Sequence, residues 1–156
     1  MSRKNVQNTL TSELLRKLHA AVLDIVAVIN RPQGDEKLIR EAAIPLERAL
    51  FPLLILIERF GPIPIGELAD RVGRDYTTVS RQVAKLDSLE LVARQPRQAD
   101  RRVTEAVIAP KGKEMADAVD AAREKMVRAL LATWNVQDVH ELVRLLEKFS
   151  SVLQQN

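Results

Sequence analysis

The chain has 156 residues, a formal net charge of +3, 46% apolar and 29% charged side chains, and no cysteine. That length suits one domain-sized unit with its own core. The lack of thiols excludes disulfides, cysteine nucleophiles, thiol sensing and thiolate metal sites.

From Leu10 to about Asn30, apolar residues such as Leu14, Leu18, Val22, Ile25 and Ile29 recur at three- and four-residue steps, which predicts an amphipathic helix. Thr11 or Ser12 suits its cap. Arg31 to Asp35 ends it with turn residues, and Leu38 to Ala43 adds a short turn of helix. Pro45 suits a first helical turn, and a helix is expected from there to Phe60. Pro52 should either kink it or mark a late start. Gly61-Pro62 breaks it.

Ile65, Leu68, Ala69 and Val72 form the apolar stripe of a short helix that runs into Gly73. A second helix starts near Asp75, which should cap it. Two strands follow, Leu91 to Pro96 and Val103 to Ile108, around a basic tip. Helix, tight turn, helix, then basic hairpin is the layout of a winged helix-turn-helix, a unit that places one helix in the major groove of DNA.

Charge placement points the same way. Between Arg71 and Arg102 lie eight basic and four acidic residues, so this window carries +4 and the rest of the chain −1. With Val79 at zero and 100° per residue, Val79, Val83 and Leu86 fall within about 40° of one line, a core face. The opposite line holds Thr77, Arg81, Ala84 and Ser88, flanked by Thr78 and Lys85. This face is small, polar and basic, as groove entry requires. Arg81 is the candidate for guanine O6/N7, because its fork matches two acceptors. Thr77 and Thr78 suit a thymine methyl or a phosphate. Ser80 and Gln82 suit the DNA backbone, as does the Tyr76 hydroxyl. At the hairpin tip, Arg97, Arg101 and Arg102 suit the minor groove, with Asp100 bracing the loop.

Pro110 opens a long helix to about Thr133, and Asn135 caps a last helix rich in Leu, Val and Phe. The first helix and the last two each bear a wide apolar face, and three helices leave a stripe over. A symmetric partner buries it most economically. The fold expected is mainly α with a small β-hairpin wing: a winged helix-turn-helix plus a helical dimerisation region from the N- and C-terminal helices. Residues 1–156 read as a single unit, with about 45–110 as the winged part and about 10–30 and 111–154 as dimerisation helices.

The segment ELADRVGRDYTTVSRQVAKLDSLELVAR, then Asp100-Arg101-Arg102, then Gly112 resembles the MarR family of winged-helix regulators (multiple antibiotic resistance regulators). Trp134 before an apolar helix also matches. The resemblance implies a homodimer held by the first and last helices on a pseudo-palindromic operator. It implies that Arg102 enters the minor groove and that Asp100 braces the wing. Many members release DNA when a small, often aromatic, anion binds between the dimerisation and DNA-binding parts. By that analogy a pocket lies between the first helix, the 45–60 helix and the recognition unit. Three positions depart from the pattern. Glu90 stands where glycine is usual, Ala109-Pro110 replaces a threonine cap, and a single Tyr and Trp leave few residues for an aromatic pocket.

The expected function is therefore sequence-specific transcription regulation by a homodimeric, DNA-binding repressor, with release by a small-molecule effector left open. The alternative is a winged-helix protein-interaction module without DNA function. No phosphate loop, nucleophile elbow or metal cluster is present, and His19 and His140 are the only histidines. No enzymatic activity, cofactor or metal is expected. With neither a signal-peptide core nor a long apolar run, a cytoplasmic protein without membrane contact is expected.

Overall fold

The computed structural model describes residues 10–156. The first nine residues of the expected single unit lie outside that range. The chain divides into two compact units, with the boundary after Val119.

In the first unit, α1 spans Ser12–Ile29, with Thr11 as its cap: the Thr11 side chain accepts from the Leu14 N–H. Pro32 does not merely end α1. It opens α2, Pro32–Glu41, because proline lacks the donor that a first-turn position leaves unused. Residues 45–50 are turns rather than helix, and α3 spans Phe51–Phe60 with Pro52 in its first turn. Of the two outcomes open for Pro52, the late start is the one adopted. Gly61-Pro62 is a cis peptide and leads into a short strand β1, Ile63–Pro64, which the sequence pattern had not suggested. Two residues are too few to carry a periodicity.

Helix α4 spans Ile65–Val72 and α5 spans Tyr76–Ser88; β2 is Val92–Pro96 and β3 is Thr104–Ile108. The sheet has the order β1-β3-β2 and is antiparallel throughout, with Ile63 opposite Ala106 and Val92 opposite Ile108. α4 packs on α3 and α5, and α5 packs on β2. One core fills the space between them, built from residues such as Leu53, Leu54, Ile57, Leu68, Val83 and Leu91. Helix α6, Pro110–Leu130, begins in this unit and crosses the boundary.

The joint between α5, β2 and α6 is tight. α5 ends with Glu90 at φ 62°, its N–H donating to the Asp87 carbonyl, while the Leu91 N–H donates to the Leu86 carbonyl. This is a Schellman closure, which glycine usually makes because a Cβ resists left-handed backbone. The Leu91 carbonyl then accepts from the Ala109 N–H, and Gly112 lies so close that a Cβ there would meet the Leu91 oxygen at 2.0 Å.

The second unit holds the end of α6 and α7, Val136–Gln154, whose cap is Asn135, accepting from the Gln137 N–H. Neither α1 nor α7 has a single buried residue. Leu14, Leu18 and Ile25 on α1, and Leu142, Leu146 and Phe149 on α7, all remain exposed. Among the described residues no helix is long and apolar enough to cross a membrane.

Two substitutions should act in opposite directions in thermal or denaturant unfolding. Glu90→Gly is expected to stabilise the fold by about 1 kcal/mol by relieving left-handed backbone at a residue with a Cβ. Gly112→Ala is expected to destabilise it by about 3 kcal/mol, because the new methyl meets backbone that cannot rotate away.

Candidate nucleic-acid interface

The reading helix is placed by its two ends and its inner face. Gly73 takes a left-handed φ of 66° and turns the chain between α4 and α5. Asp75 then caps α5, with Oδ1 accepting from the Thr78 N–H at 2.9 Å and Oδ2 from the Thr78 hydroxyl at 2.7 Å. Val79, Val83 and Leu86 are fully buried, so the opposite line of α5 is turned outward. At the far end, Arg94 on β2 donates to Asp87 at 2.8 Å and ties the helix to the hairpin.

On the outward side the candidate residues divide into two sets. Tyr76, Thr77 and Arg81 are exposed, Ser80 is half-buried, and none of these side chains has a hydrogen-bond or ionic partner among the described residues. Thr78, Gln82 and Lys85 lie along one flank, and each has a partner inside the chain. The Thr78 hydroxyl serves the cap. The Gln82 Oε1 accepts from Arg74 Nη1 at 3.0 Å. The Lys85 ammonium pairs with Glu47 at 2.6 Å. Gln82 and Lys85 therefore reach any external group only by sharing these partners.

The hairpin tip is closed by two backbone bonds, Arg97 N–H to the Val103 carbonyl and Val103 N–H to the Asp100 carbonyl. Asp100 accepts from the Arg102 backbone N–H, from Nε at 3.1 Å and from Nη2 at 3.3 Å. Arg102 remains 91% exposed in side-chain terms, so the brace orients the guanidinium without hiding it. The Arg102 contacts hold the Asp100 carboxyl below its usual range, with Arg97 adding a smaller attraction. Arg97 and Arg101 are exposed on the same tip.

Arg74 and Glu47 were not among the residues singled out from the sequence. Arg74 counted only toward the basic excess, and its partner, the Ala49 carbonyl at 2.8 Å, is 25 residues away. A backbone oxygen leaves no mark in a side-chain pattern. Arg74 also lines an open cavity of about 320 Å³ with Ile29, Arg31, Arg48 and Pro52. That is the region where the family analogy had put a pocket. Among the described residues no His, Asp or Glu cluster can hold a metal ion.

Comparison with known proteins agrees with this fold. The uncharacterized HTH-type transcriptional regulator YxaD of Bacillus subtilis (strain 168) is 32% identical over 105 residues, covering 67% of this chain and 73% of its own. The sequence model of the MarR family matches residues 46–104. The chain belongs to the MarR family. A MarR family protein from Bacillus stearothermophilus superposes with a TM-score of 0.76 at 18% identity, covering 93% of this chain and 99% of that one. The transcriptional regulator Tm0710 from Thermotoga maritima gives 0.61 at 25% identity, over 90% and 96% of the two chains. The MarR protein described here is thus a winged-helix, DNA-binding transcription regulator and not an enzyme.

The Asp75 cap gives a pH signature. The Thr78 hydroxyl, and then the Thr78 N–H, hold the Asp75 carboxyl below its ordinary 3.8. A lowered value in the folded state means that ionised Asp75 favours folding. That contribution is complete above 3.8 and is lost as the pH falls through the lower, folded value. Asp75→Ala is expected to lower the melting midpoint by a few degrees at neutral pH. The gap between the variant and the parent should close as the pH drops below that range.

Proposed function

We propose that two copies of this chain bind a pseudo-palindromic operator as a repressor. In this reading each α5 lies in a major groove and each hairpin tip reaches the neighbouring minor groove. The observation that carries the reading is the outward face of α5. Arg81, the long cation at its centre, has no partner among the described residues, whereas most basic side chains of this region do. An unpaired guanidinium beside small hydroxyls on a helix fits guanine O6/N7, with Thr77 near a thymine methyl or phosphate. Tyr76 and Ser80 fit backbone contacts at the sides. Arg97 and Arg101 fit phosphates flanking the minor groove that Arg102 enters.

The dimer is supported by the apolar faces of α1 and α7. Leaving so many large side chains in water is unfavourable by about 25 cal/mol per Å² of apolar surface. A symmetric second copy removes that cost. The effector step is supported more narrowly. The cavity is lined by Arg31, Arg48 and Arg74 against one carboxylate, Asp35, with Arg48 also paired to Glu36; this basic excess favours a small anion, and displacement of Arg74 would be felt in α5.

The test is selection of duplexes from a random library by the purified protein, followed by binding titrations. The enriched site should hold two related half-sites about one helical turn apart, with affinity falling steeply as salt rises. Arg81→Ala should weaken that site by about 1–3 kcal/mol and relax preference at one base position. Failure to enrich any sequence would overturn the reading in favour of a protein-interaction module. In sedimentation, the parent chain should run as a dimer at micromolar concentration. Leu146→Glu should run as a monomer with much weaker operator binding.

A further inference from the structure

The turn between α2 and α3 does more than connect them. Leu46 and Leu50 are buried, and the Leu50 N–H donates to the Glu47 carbonyl at 3.0 Å, so the short segment between them is anchored at both ends. What it presents is one carboxylate, Glu47, and one free-standing backbone carbonyl, Ala49. Both are met by groups attached to α5. Arg74, in the turn just ahead of α5, uses a single nitrogen, Nη1, to reach the Ala49 carbonyl at 2.8 Å and Gln82 Oε1 at 3.0 Å. One turn further along the same flank, Lys85 reaches Glu47.

The chemistry fixes the orientation of this link. A guanidinium only donates, so the Gln82 amide must turn its oxygen to Arg74. The Arg74–Gln82 bond is partly shielded from solvent, whereas Lys85 and Glu47 are about half exposed or more. A shielded, charge-assisted hydrogen bond is stronger than a solvated ion pair. Arg74 is therefore the hub and Lys85–Glu47 the lesser tie. The buried stripe of α5 stops the helix from rolling, but aliphatic contacts alone are poorly directional. A polar strut on one flank sets the remaining freedom, the tilt of the helix about that stripe.

We infer that Arg74 and Gln82 are positioning residues: bound together and to the Ala49 carbonyl, they set the angle at which α5 presents Arg81 and Thr77 to DNA. This rests on the reading of α5 as the groove helix. It gives Gln82 an internal role in place of a DNA-backbone contact. It also gives Arg74, which is outside the helix, a part in setting operator affinity without contact to DNA.

The test uses the full-length dimer with Arg74→Met, Gln82→Met and the double variant, and has two arms. The first is amide hydrogen exchange without DNA. Exchange across Val79 to Leu86 should quicken about five- to tenfold in Gln82→Met and at least as much in Arg74→Met, which also loses the Ala49 bond, and the double variant should match Arg74→Met, because the Arg74–Gln82 bond is already gone there. Unchanged exchange in both single variants would overturn the strut whether or not the protein binds any operator. The second arm is titration of the selected duplex over a range of salt. Each single variant should lose about five- to tenfold in affinity, the double no more than Arg74→Met, and the dependence on log salt should stay parallel to that of the parent. If Arg74 instead touched phosphate, the slope would fall by about one in Arg74→Met, and if Gln82 touched DNA on its own account the two losses would multiply. That outcome would overturn the inference. Should Arg74→Met fold poorly, Gln82→Met leaves the Arg74–Ala49 bond in place and decides the exchange arm alone, and an unchanged operator affinity in that variant would also overturn the inference. A parent chain that enriches no duplex would defeat the proposed function but leave the exchange arm able to decide the strut.

Discussion

Val79, Val83 and Leu86 are fully shielded from water, and because they lie along a single line of α5, burying them leaves the helix one way to face. Rolling α5 by even a third of a turn would bring Arg81 toward the core and expose two valines. The first would bury a charge and the second would lose roughly 1.5–3 kcal/mol per side chain. The orientation of the reading face is thus set by the aliphatic side chains beneath it. α4, the Gly73 turn and β2 exist, in energetic terms, to supply the other side of that contact.

Around this constraint the polar groups divide the remaining work. Asp75 fixes where α5 begins, and the Asp87–Arg94 pair fixes where the hairpin leaves it. Asp100 holds the Arg102 guanidinium at an exposed tip. Each of these carboxylates sits beside a basic group or a helix N-terminus, so these three add little unpaired negative charge around α5 and the hairpin tip. The protein is only weakly basic overall, yet this surface is distinctly so. That separation lets a protein of small net charge attract a polyanion locally.

Much of this was legible in the residue order, for identifiable reasons. The α5 core line and its outward face follow from a 100° step. The Asp75 and Asn135 caps follow from side chains that reach back to their own helix. The Asp100–Arg102 brace is a contact between residues two apart. What escaped was set by distance or brevity. Pro32 reads equally well as the end of one helix or the start of another. The strand at Ile63–Pro64 is formed only by its pairing with β3. The Arg74 and Lys85 ties close loops of 25 and 38 residues, and one of them ends on a backbone oxygen. No local pattern announces such a contact.

Glu90 holds left-handed backbone, the conformation that glycine adopts most readily, and the Glu and Gly codons differ by a single base. This fold therefore keeps one accessible change that adds stability without altering Thr77 or Arg81 on the outward face of α5. A lineage acquiring that change would gain slack with which to tolerate otherwise harmful substitutions on the reading face. The awkward residue at the end of α5 is, in that sense, a reserve for change on the outward face of the helix.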